Sequence, residues 1–158
     1  MDVIEILPRL WISNTNDIPK NKNFFINNNI RYVINLTYDI PNYFTNVTYF
    51  NIPINEENLD SNIVMSIEQL FDVVNKFIVQ GYNHGIGILI HDTTGNEPAK
   101  AGKLSLMFAC AFIISKLKIT FNDVIEYLKL HQYNHIDYII KNNFLINYEK
   151  KFDNKRCT

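Results

Sequence analysis

Cysteine is scarce in this 158-residue chain: Cys110 sits in an apolar stretch and Cys157 next to the last residue. Two thiols so placed make no disulfide framework. Glycine and proline are thin too, five of each, and they are scattered rather than gathered into a linker. With no internal repeat or low-complexity segment, one domain over 1–158 is expected, long enough to bury a real core. No charge of one sign dominates: 15 Lys and Arg against 16 Asp and Glu give a net charge of −1. That balance leaves no electrostatic case for nucleic acid or an acidic membrane as partner. Long apolar runs are missing as well. The longest, residues 104–114, is broken at Ser105 and too short to span a bilayer. The opening Met1-Asp2-Val3-Ile4-Glu5-Ile6 lacks a basic region, so no signal peptide is expected and a reducing, cytoplasmic location follows. The sequons at Asn35 and Asn46 are then expected to stay unmodified.

What is present is ordinary for a globular protein, 47% hydrophobic and 20% charged residues. The 23 asparagines, with much Ile, Lys, Tyr and Phe, are a codon signature of an AT-rich genome. A large DNA virus or another AT-biased parasite fits, which would place the chain in the host cytoplasm.

Residues 3–6 and 10–13 read as two short strands around Pro8, an edge hairpin. One or two short helices are expected in 14–29. Residues 32–36 are a continuous β-rich run, a strand buried on both faces, and 47–52 read as a second such strand. From Ile63 the period changes to three and four through Ile67, Leu70, Phe71, Val74, Phe77 and Ile78. This is an amphipathic helix, with Asp60 or Ser61 as cap and Gly81 as its end. Residues 86–91 form the next buried strand, and 99–116 a helix apolar nearly all round, hence central. Thr120 opens another helix, and two more are expected at 135–141 and 143–152. Strands separated by helices give an α/β domain, a central, mostly parallel sheet flanked by helices.

The most informative stretch is Ile88-Leu89-Ile90-His91-Asp92-Thr93-Thr94-Gly95-Asn96-Glu97-Pro98. A buried strand runs into a Gly-containing loop and then a long helix, the arrangement by which backbone N–H groups and a helix N-terminus converge on an anion. Its side chains oppose that use. Asp92 and Glu97 are carboxylates, Pro98 has no N–H, and no Arg lies in the loop. A nucleotide P-loop ending at Gly102-Lys103 fails, because Glu97 holds the first glycine's place and Leu104 the Ser/Thr place. A metal-dependent Asp-nucleophile loop fails too, since no acidic pair follows and only helices come after it.

The chain resembles the dual-specificity phosphatase family over nearly its whole length. The segments that carry the likeness are residues 6–14, 30–37 (Ile30-Arg31-Tyr32-Val33-Ile34-Asn35-Leu36-Thr37), 49–54, 88–91 and 120–124, in family order and spacing, with Gly95 on the loop glycine. The resemblance implies the cysteine-dependent phosphatase fold, with a sheet of about five strands. It also implies roles that this chain does not fill. Asp92 stands at the nucleophilic Cys position and Pro98 at the phosphate-gripping Arg position. The general-acid Asp falls at Asn55 or Glu56, of which Glu56 can still donate a proton, and Ala99 replaces the Ser or Thr that assists the thiolate.

A carboxylate is a poorer nucleophile toward phosphorus than a thiolate, and Pro cannot replace a bidentate guanidinium. Catalysis by the family mechanism is therefore expected to be absent, with no cofactor and no metal. Asp92 is expected to accept the loop N–H groups itself and act as a built-in anion, opposing a phosphate by about a kcal/mol or more. What remains is a degenerate phosphate loop, His91 through Pro98, on a protein-binding or scaffold module in phospho-signalling. Its expected partner is a signalling protein, an active phosphatase, a kinase substrate or a second copy. The alternatives are a weak phosphatase using Asp92, or a reader that binds a phosphoresidue without cutting it. His91 is expected to turn away and hydrogen-bond backbone. Lys100 and Lys103 read as solvated surface, Trp11, Tyr43, Phe44 and Tyr49 as core or edge packing, and Cys110 as apolar filler. His131 and His135, four apart around Asn134, do not read as a zinc pair.

Overall fold

The computed structural model describes residues 3–13, 15–54, 65–92 and 102–156. Strand β1 (Val3–Leu7) turns back into β2 (Leu10–Ser13) as an antiparallel hairpin, with Arg9 at φ 68° in its turn. A short 3-10 turn at Ile18–Lys20 leads into helix α1 (Lys22–Asn27), capped by the Asn21 side chain on the Phe24 N–H. Then come β3 (Ile30–Asn35), β4 (Thr48–Asn51), α2 (Ile67–Asn83) and β5 (Gly87–His91). Helices α3 (Lys103–Lys116), α4 (Phe121–Leu130), α5 (Ile136–Lys141) and α6 (Phe144–Arg156) complete the chain. The five strands form one sheet in the order β1-β2-β5-β3-β4, parallel except for the hairpin.

Alternation along the strands divides the core in two. Leu10, Ile12, Ile34, Ile88 and Ile90 face the larger cluster, built with apolar residues of α2 through α6. Val33 and Leu89 point the other way, into a smaller cluster with Ile18, Phe25 and Ile30, against which Trp11, Phe24, Phe44 and Tyr49 pack. Helix α3 is buried from Leu104 to Ser115, the central helix that its unbroken apolarity requires.

Four sequence expectations need correction. Strand β4 is not buried on both faces; it lies at the sheet edge with its ends exposed. Helix α2 is capped by Ser66, whose side chain and that of Gln69 form a reciprocal capping box, so Asp60 and Ser61, outside the described residues, are not its cap. Gly81 does not end that helix. It sits inside α2 where a Cβ would come 2.6 Å from Ile88 Cδ1, so the missing side chain lets helix and strand approach. Helix α3 starts at Lys103 rather than at 99, because Gly102 precedes it with φ 90°, a left-handed conformation that cannot continue a helix.

Candidate functional site

Parallel strands place their carboxyl ends together, and β5 is the central one, so the chain leaves it at His91 in the middle of the sheet. Asp92 follows directly and is 2% exposed. Its Oδ1 accepts the Gly102 N–H at 2.8 Å and its Oδ2 accepts the Ser105 N–H at 2.7 Å. Gly102 is the cap position of α3 and offers no side chain, so Asp92 caps the helix from ten residues upstream. Both carboxylate oxygens therefore serve N–H groups that open a helix, where the macrodipole favours negative charge. Burial pushes the carboxyl above the usual carboxylate range, and the Gly102 and Ser105 N–H groups pull the other way.

His91 is 1% exposed, and neither ring nitrogen has a hydrogen-bond partner among the described residues. Among those residues, the bond to backbone expected from the sequence is not made. In the centre of a sheet the neighbouring backbone groups are taken by the ladder; His91 O itself receives the Leu36 N–H at 3.0 Å. Burial drives the imidazole down to about 4, so it is neutral at physiological pH. The Ser105 hydroxyl is buried beside the carboxylate without a hydrogen bond of good geometry.

Of the positions picked from the sequence, His91 and Asp92 are brought together here. Glu56, Asn55 and the loop residues Thr93, Thr94, Gly95, Asn96, Glu97 and Pro98, with Ala99 and Lys100, lie outside the described residues. Lys103 does not sit as a free surface charge: its ammonium lies 4.8 Å from the Tyr138 ring centroid, over the ring. It also lines a cleft of about 750 Å³ with residues between Tyr133 and Asn142, including His135, Asp137, Tyr138 and Lys141. The sequence reading missed this cleft, because it joins Lys103 to a segment that starts thirty residues later and no local pattern announces it. The donors Gly102 and Ser105 were missed for a different reason: Gly102 before an uncapped apolar helix is a signal, but it names no acceptor. Cys110 is fully buried with its thiol pushed up to about 12, apolar filler as expected. His131 and His135 belong to no group of three metal-ligating residues among the described residues. Among those residues, too, no helix is long and apolar enough to cross a membrane.

Comparison with known proteins gives this geometry a lineage. The family description "Dual specificity phosphatase, catalytic domain" matches residues 10–151. Human dual specificity protein phosphatase 6 is 26% identical over 134 residues, and human dual specificity protein phosphatase 9 is 25% identical over the same length. Each alignment takes in 83% of this chain and 32% of the relative, so the chain spans about a third of the length of these curated proteins. Among solved structures, the human tyrosine phosphatase-like serine/threonine/tyrosine-interacting protein superposes with a TM-score of 0.71. It is 18% identical, over 99% of this chain and 98% of that one. A mouse putative dual specificity phosphatase, solved with zinc tungstate, gives a TM-score of 0.72 at 11% identity, over 98% and 91%. The strand, the capped helix and the match across residues 10–151 place this chain in the dual specificity phosphatase catalytic-domain family.

Proposed function

We propose that this chain is a catalytically inactive family member that acts by binding protein partners in phospho-signalling. One observation carries the reading: the Asp92 carboxylate is held by the Gly102 and Ser105 N–H groups at 2.8 and 2.7 Å, buried against the start of α3. A group at the family's nucleophile position must be free to attack phosphorus, and the helix N-terminus must be free to receive the phosphoryl oxygens. Here one residue occupies both roles as a structural acceptor. The identity of Pro98 adds to this, since no guanidinium follows at the family spacing. The solved neighbour described as phosphatase-like and interacting offers a precedent in name for such a protein.

A second reading, a weak phosphatase using Asp92, draws on the named phosphatase relatives. The two separate on incubation of the full chain with a small aryl phosphate, with and without Mg²⁺. The inactive reading expects no turnover in either condition. Turnover that disappears in Asp92→Asn would establish the enzyme instead. A phosphotyrosine peptide at a hundred times a micromolar dissociation constant would stabilise a phosphoresidue reader by about 2.7 kcal/mol. The inactive scaffold expects no such thermal shift.

A further inference from the structure

The sheet register puts a second concavity at the end of the molecule opposite Asp92. Asn35 of β3 pairs with His91, whereas Ile30, at the start of the same strand, pairs with Gly87. Five residues of strand separate the two ends, about 16 Å. Beside Ile30 a pocket of about 160 Å³ opens between α1 and the segment leading into β4. Phe25, Ile30, Phe44 and Val47 supply its apolar lining. The walls are held in place: the Phe25 and Phe44 rings stand 4.6 Å apart, and the Phe44 N–H donates to Tyr49 Oη at 3.1 Å. The pocket is too small for a cofactor or drug-sized ligand, which needs about 300 Å³ or more. It has room for one leucine or phenylalanine side chain.

The rim is cationic. Lys22 and Arg31 line the pocket, no carboxylate does, and neither cation is paired with a carboxylate among the described residues. The nearest partner of Arg31 is neutral, the Asn29 side-chain oxygen at 3.3 Å. Ile26, at the same rim, is 64% exposed, and Tyr43, beside Phe44, is exposed rather than packed as the sequence reading expects. An apolar socket with uncovered apolar residues and two unneutralised cations around it fits one kind of occupant. We infer that this pocket anchors an acidic segment of a protein partner, one large apolar side chain in the socket and carboxylates on either side against Lys22 and Arg31. The inference names a docking surface for the binding role proposed above, and the two fail separately: turnover of aryl phosphate sinks that role alone, and loss of peptide binding sinks this surface alone.

The test uses the full chain with methyl-labelled isoleucine and valine, titrated with the blocked peptide Gly-Asp-Glu-Leu-Asp-Glu-Gly. Saturable shifts are expected at the Ile26, Ile30 and Val47 methyls. Replacing the peptide's Leu by Ala should weaken binding about tenfold, the loss of one buried aliphatic side chain. Lys22→Glu and Arg31→Glu, both at exposed positions, should each weaken it about threefold, and a peptide with Lys in place of the four acids should not bind. Three outcomes overturn the inference: no saturable shift at these methyls, equal binding of the lysine peptide, or shifts confined to Ile136 and Ile139 near the other cleft. Shifts at the same methyls that depend on protein concentration without peptide, with a dimer by sedimentation, would also overturn it, since a second copy then fills the socket.

Discussion

The Ser105 N–H, in the first turn of α3, donates to Oδ2 of Asp92, thirteen residues earlier, at 2.7 Å. This bond and its companion from Gly102 tie the end of the central strand to the start of the central helix. The side chain that follows the central strand therefore also supports the fold.

Asp92→Ala removes both acceptors and leaves two buried N–H groups of the helix start unpaired. A loss of about 2–3 kcal/mol is expected, read as a lower urea midpoint at unchanged slope. Asp92→Asn keeps one oxygen but turns an NH₂ group toward the second N–H, and should lose about 1–2 kcal/mol. Unchanged midpoints in both variants would show that the carboxylate carries no structural load.

His91 makes acid stability distinctive. Its ordinary value of 6.5 is lowered to about 4 by burial, so between those values the unfolded imidazole takes a proton that the folded one refuses. Stability should fall as pH drops through that window, by about 3 kcal/mol at most. Asp92 works in the opposite sense, because its raised carboxyl binds a proton more tightly when folded and so favours the native state as pH falls from above. Urea melts between pH 7 and 4 should show a shallower acid loss in His91→Gln and a steeper one in Asp92→Asn. The reverse ranking would rule out this assignment.

Gly81 lies within α2, where alanine would normally stabilise the helix by about 1 kcal/mol. Here the added Cβ would meet Ile88 Cδ1 at 2.6 Å and Cγ1 at 2.7 Å, in a strand residue with no exposed surface. Gly81→Ala is expected to destabilise by about 1–3 kcal/mol. In the double variant with Ile88→Ala that penalty should largely vanish, giving a coupling that thermal unfolding can measure.

A buried polar knot joins three helices on the same face. Asn75 of α2 donates to Ser115 Oγ of α3 at 2.8 Å and to Tyr148 Oη of α6 at 3.1 Å, while Tyr148 donates to Asp72. Burial and the neighbouring Asp72 push the Tyr148 phenol above its ordinary range, so the hydroxyl stays protonated and keeps donating. Tyr148→Phe removes only that oxygen and should cost about 1–2 kcal/mol, with faster amide exchange in α6 than in α3. Equal exchange in the two helices would argue against a knot that holds α6 down.

Much of this molecule is legible without coordinates. The continuous apolar runs at β3 and β5, the periodicity of α2 and the unbroken apolarity of α3 are local patterns, and each maps onto its element because a buried strand and a buried helix leave distinct periods. The edge position of β4 was not legible, since Thr48, Tyr49, Phe50 and Asn51 suit a covered or an uncovered strand equally. Nor was the role of Gly81, because a glycine that ends a helix and one that admits a strand look alike in one dimension.

By itself, then, the sequence determines the α/β class, the membership of its family and the presence of Asp92 and Pro98 in the segment that follows the central strand. Only the tertiary structure decides what Asp92 does, because its partners Gly102 and Ser105 meet it through the packing of α3 on the sheet. The same holds for the ring of His91, unpartnered among the described residues, and for the pocket beside Ile30. A local pattern records which face of an element is apolar; which groups from distant elements converge is set by how those faces pack.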